Sequence, residues 1–155
     1  RISRSAYTPK IVGYESLLKK LKKTMSHHKR LRDFIKHNDV TQKEVRDSIC
    51  IQGRFLWSAP ETNGNYHFLR LYLSEQQAPE PLRQQQQEFQ AAQREDAFKT
   101  NQYLITVSLY EVASNDPNLP VPGAVISFSP TKASIYRNCC QVNAKLAGIS
   151  TINVP

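Results

Sequence analysis

The chain has 155 residues, 39% hydrophobic and 22% charged, with a net charge of +8 and a pI near 9.5. That length suits one domain with a real core, and no apolar run approaches the ~20 residues that a helical membrane span needs. Three cysteines (Cys50, Cys139 and Cys140), two of them adjacent, and the lack of any Asn-x-Ser/Thr sequon speak against a secreted disulfide scaffold and for an intracellular setting, cytoplasmic or nuclear.

The chain opens on Arg1 rather than Met, which reads as a fragment or a processed piece, and no signal-peptide pattern is present. The charge is uneven. Residues 1–46 hold 13 Lys/Arg against 4 Asp/Glu, a net +9, whereas residues 47–155 hold 8 against 9, a net −1. A charge excess confined to the first third points to a polyanionic partner.

Residues 1–13 contain Pro9 and Gly13 and lack a clear period. They read as an N-terminal arm with room for a short strand, ahead of a single α+β domain over 14–155. From Tyr14 the apolar positions Leu17, Leu18, Leu21 and Met25, then Leu31, Phe34 and Ile35, recur at three and four, which is helical spacing. A break near Ser26–His28 leaves one long helix and two short ones both open. Thr41 followed by Glu44 fits a capping box, so a short helix is expected to about Cys50, with Val45 and Ile49 inward.

The period then changes. "ICIQGRFLWSAP" and "NYHFLRLYLSE" are rich in aromatic and branched residues and flank Glu61-Thr62-Asn63-Gly64, whose Asn-Gly is a hairpin signal. Leu69, Leu71 and Leu73 alternate with Phe68, Arg70 and Tyr72, predicting an aliphatic face and an aromatic, polar one. Residues 76–102 are Gln-rich. Pro81 suits a helix start, and Leu82, Phe89, Ala92 and Phe98 form a thin stripe, predicting a surface helix or a flexible crossover. "YLITVSLYEV" (103–112) and "AVISFS" (124–129) read as strands of a second hairpin joined by a Pro-rich loop. Ile135, Cys139, Val142 and Leu146 recur at four, three and four, with Gly148 suiting the position after a helix end, so 131–148 reads as a C-terminal helix. The predicted order is α-α-β-β-α-β-β-α, a mainly antiparallel sheet with helices packed on it: the α+β class.

No catalytic signature emerges. The five glycines are scattered, no Gly-x-Ser-x-Gly elbow occurs, and His27, His28, His37 and His67 lack the spacing of metal ligands. No cofactor is implied. Cys139 falls on the apolar stripe and reads as a small core residue. Ser129 precedes Pro130 and reads either as a proline-directed phosphorylation site or as an ordinary helix start.

The basic run is different. Residues 19–36 carry Lys19, Lys20, Lys22, Lys23, Lys29, Arg30, Arg32 and Lys36 against Asp33 alone. Such crowding repels itself unless an anion is near. It reads as a solvated face or, preferentially, as a surface for RNA or DNA bound with little sequence specificity. Phe55, Trp57, Tyr66, Phe68 and Tyr72 are stacking candidates or, more commonly for such residues, core. The alternative is a structural or assembly protein of viral-matrix type, a scaffold that sets its basic face on an anionic membrane or nucleoprotein and self-associates through the sheet and the loop 115–123.

Overall fold

A computed structural model describes residues 7–9, 30–76, 80–95 and 101–152. Among these, eight strands form one mixed sheet, with three α-helices packed on it. The elements are β1 (Tyr7–Pro9), α1 (Leu31–His37), α2 (Lys43–Asp47), β2 (Ile49–Asn63), β3 (Tyr66–Ser74), α3 (Leu82–Glu95), β4 (Leu104–Tyr110), β5 (Val125–Phe128), β6 (Lys132–Tyr136), β7 (Cys139–Asn143) and β8 (Ser150–Ile152). A short 3₁₀ turn at Leu146–Gly148 precedes β8. The sheet runs β6-β7-β4-β3-β2-β5-β8, with β1 also beside β2. The fold is α+β.

The hairpin β2–β3 forms for the reasons visible in its residues, with one shift at the turn. Asn63 pairs with Tyr66, so the loop is Gly64-Asn65 rather than Asn63-Gly64. Gly64 takes φ +60, while Asn65 is not among the positive-φ residues. Glycine first, with positive φ there alone, is the pattern of a type II′ turn. A bulge between Phe55 and Trp57 sends both Leu56 and Trp57 toward the same side. Gly53 lets β2 and β3 approach closely: a Cβ there would sit 3.1 Å from Leu73 Cβ and 3.2 Å from the Ser74 carbonyl oxygen.

Helices pack on both faces of the sheet. On the first, Leu69, Leu71 and Leu73 of β3 join Ile105, Val107 and Leu109 of β4, and Leu31 and Phe34 of α1 seal them. Each fully buried side chain of this size contributes about 1.5–3 kcal/mol. On the second, α3 lays Phe89 over Leu56, Tyr72, Leu104 and Cys139. The aliphatic and aromatic faces expected of β3 are thus both present. Pro81 lies just before α3, where its carbonyl accepts the Gln85 amide at 3.1 Å; Phe98 lies outside the described residues.

Three expectations are corrected. First, 131–148 is not a helix. β6 and β7 form a hairpin through Arg137-Asn138, whose φ values of 50 and 62 turn the chain in two residues. Ala133 and Ile135 on β6 and Cys140 and Val142 on β7 pack on the first face, so the true period is two. Second, 104–110 and 125–128 do not pair with each other. β5 pairs antiparallel with β2, while β4 lies between β3 and β7, the latter parallel to it. Third, the capping box at Thr41 does not form. α2 starts at Lys43, and the Thr41 hydroxyl instead donates to Asp39 Oδ1 at 2.5 Å. Ile49 is inward as expected, but as the first residue of β2.

Candidate functional site

Of the eight basic residues, Lys19, Lys20, Lys22, Lys23 and Lys29 lie outside the described residues, as do His27 and His28. Arg30, Arg32 and Lys36 are described, and they have different fates.

Arg30 is used by the fold. Its Nη1 donates to Gln102 Oε1 at 2.7 Å and its Nη2 to the Gln102 carbonyl, while its guanidinium lies 4.1 Å from the Tyr103 ring centroid. Its Nε sits 3.7 Å from Glu75 Oε1. The other carboxylate oxygen of Glu75 accepts the Leu31 amide at 2.7 Å, at the start of α1. Glu75 itself is fixed at the end of β3, where its amide donates to the Tyr103 carbonyl at 2.8 Å. Burial pushes the Glu75 carboxyl above the ordinary range, and the Leu31 amide and the Arg30 charge pull it partly back. The basic run therefore meets the sheet at a partly buried ion pair, with the Arg30 guanidinium held by Glu75, Gln102 and Tyr103.

Arg32 and Lys36 lie one turn apart on α1. Arg32 is half-buried and Lys36 exposed, and neither side chain makes a hydrogen bond or ion pair with another described residue. Leu31 and Phe34, both 0% exposed, hold the opposite side of the helix in the core. Asn38 closes the helix by donating from Nδ2 to the Phe34 carbonyl at 2.9 Å. α1 thus exposes Lys36 because its apolar stripe faces in.

The stacking candidates divide. Phe55, Phe68 and Tyr72 are buried, Trp57 is half-buried and stacked on Tyr72 at 4.4 Å, and Tyr66 is 67% exposed. The sequence reading did not single out Tyr110 or Tyr136, both of which are exposed. The register pairing Phe68 with Tyr110 brings Tyr110 to the aromatic face; the alternation of 103–112 was its only sequence signal.

The remaining candidates lie on strands or at a strand end. Adjacent on a strand, Cys139 and Cys140 point to opposite faces and are 8% and 2% exposed. Burial pushes the Cys139 thiol up to about 11 and the Cys140 thiol further still, so both are protonated at neutral pH and poor nucleophiles. Ser129 does not precede a helix: its hydroxyl donates to the Ile49 carbonyl at 2.8 Å, tying the start of β2 to the end of β5. No group of three or more His, Cys, Asp or Glu side chains among the described residues could hold a metal ion. None of their helices is long and apolar enough to cross a membrane.

No protein-family model, curated protein or solved structure matched this chain.

Proposed function

We propose that this chain is a non-enzymatic nucleic-acid-binding domain that engages RNA or DNA chiefly by neutralising phosphates, with little sequence discrimination. One observation carries the reading: the net +9 of residues 1–46 sits beside a remainder of net −1. Lys19, Lys20, Lys22, Lys23 and Lys29 supply most of the contacts, and Arg32 and Lys36 extend them along α1. Arg30 takes the different role of tying the run to Glu75 and Gln102. The arrangement favours sequence-tolerant binding, because lysines act as point charges on phosphates and carry no base code.

Filter binding of a short RNA and a short DNA at about 50 and about 200 mM salt tests it. Six or more phosphate contacts predict a loss of roughly a thousandfold or more over that interval. The combined K19Q/K20Q/K22Q/K23Q variant is expected to bind more weakly and to show a shallower salt slope. Salt-indifferent affinity, or a quadruple variant that binds as the parent does, refutes the reading.

A further inference from the structure

Among the described residues, the second face of the sheet is only partly covered. Where α3 lies, Leu56, Tyr72, Leu104 and Cys139 are buried beneath Phe89. Beyond it, toward the tip of the β2–β3 hairpin, no helix among the described residues covers the sheet.

Register places specific residues there. Phe68 pairs with Tyr110 and Arg70 with Ser108; Ser108 pairs with Asn143, and Asn143 with Lys132. Paired residues share a face, so Lys132, Asn143, Ser108 and Arg70 form one row across four strands, roughly 14 Å long at the usual strand spacing. At one end of this row, Tyr66 and Tyr110 are 67% and 44% exposed and stand edge to face, with centroids 6.5 Å apart and an interplanar angle of 89°. Phe68 lies beneath, 5.1 Å from Tyr110 and 5.3 Å from the Arg70 guanidinium. Arg70 Nε is buried and makes no hydrogen bond. The nearby acids, Glu61 opposite Phe68 and Glu111 after Tyr110, lie at the hairpin end, and the row itself holds no carboxylate.

We infer that this open face is a stacking platform for single-stranded nucleic acid. Bases rest on Tyr66 and Tyr110, Arg70 and Lys132 meet phosphates, and Ser108 and Asn143 supply hydrogen-bonding groups for sugar or base edges. The inference rests on the reading that the chain binds nucleic acid, and it adds the strandedness. Perpendicular rings suit a strand that turns between successive bases; a duplex keeps its base faces stacked inside. The cationic row provides charge complementarity to such a strand.

Fluorescence anisotropy with a labelled single strand of roughly ten nucleotides, and with a duplex of the same length, tests the inference. Tyr66→Ala removes an exposed ring, and unchanged circular dichroism verifies its fold. It is expected to weaken single-strand binding at least about fivefold, and to leave duplex binding as it was. Tyr66→Phe keeps the ring and is expected to bind as the parent does. Equal loss on both ligands, or no loss on either, overturns the inference. So does a change in sedimentation coefficient caused by Tyr66→Ala without ligand, which would make the face a self-association surface. If Tyr66→Ala loses the single strand while the quadruple lysine variant binds normally, the platform stands and the basic-segment reading alone fails. The converse result removes the platform alone.

Discussion

The two faces of the sheet are built from different materials. The first is closed with hydrocarbon: Leu71, Leu73, Ile105, Val107, Leu31 and Phe34 are each 0% exposed. The second is closed partly by amides. The buried Gln85 of α3 accepts from Arg54 Nη1 at 3.1 Å and donates to Ser74 Oγ at 2.9 Å, and Gln86 donates to the Leu56 carbonyl at 2.6 Å. That last bond falls at the bulge, where Leu56 has no partner on β3. The difference teaches a division of labour. Apolar burial is non-directional and supplies most of the stability, whereas side-chain hydrogen bonds add only about 0.5–1.5 kcal/mol each but fix where α3 sits. The second face is held in place where it is covered and open where it is not.

Mutations probe this comparison. The largest effect is expected from Leu71→Ala and Phe89→Ala, each about 2–5 kcal/mol by cavity formation. They should differ in reach. Amide exchange is expected to rise across the whole sheet in the first variant, and in α3 with its immediate contacts in the second. Equal exposure of the sheet in both would show that the faces unfold as one unit. Next comes Gln85→Leu, which leaves Ser74 and Arg54 short of a partner and is expected to cost about 1–3 kcal/mol in urea unfolding. No loss would show that the amides are dispensable.

The smallest effect is a pH dependence at Glu75, at the edge between the faces. Its carboxyl is raised, with burial as the leading cause. The native state therefore takes up a proton more readily than the unfolded chain. That contribution is fully present below the ordinary carboxylate range and is lost as pH rises through the raised value. Relative to Glu75→Gln, the melting temperature of the parent is expected to decline from about pH 4 upward and then level off. A constant difference would contradict this assignment.

Legibility in the sequence followed locality. The β2–β3 hairpin was readable because its alternation and its turn lie side by side. The helix Leu82–Glu95 was readable through Pro81, Phe89 and Ala92, although Gln85, its buried polar anchor, looked like one more glutamine of a low-complexity run. The β6–β7 hairpin was misread because Ile135, Cys139, Val142 and Leu146 satisfy a helical period by coincidence. Ala133, Ile135, Cys140 and Val142 satisfy the strand period as well, and an Arg-Asn turn at positive φ gives little warning. Two pairings were beyond reach, since β5 joins β2 and β7 joins β4 across long separations. The same applies to Arg30, whose partners Glu75 and Gln102 stand 45 and 72 positions away. Sequence alone counted it among the binding cations.

The parallel contact between β4 and β7 has a consequence for assembly of the molecule. Between them the chain travels to the far edge to lay β5 against β2, then returns to add β6 and β7. Until that return, β4 presents an unsatisfied ladder bearing Ile105, Val107 and Leu109, the kind of border that recruits a neighbouring polypeptide. A nascent chain halted before Lys132 would carry that border bare, so the last 24 residues, which hold β6 and β7, cover a strand edge otherwise open to pairing.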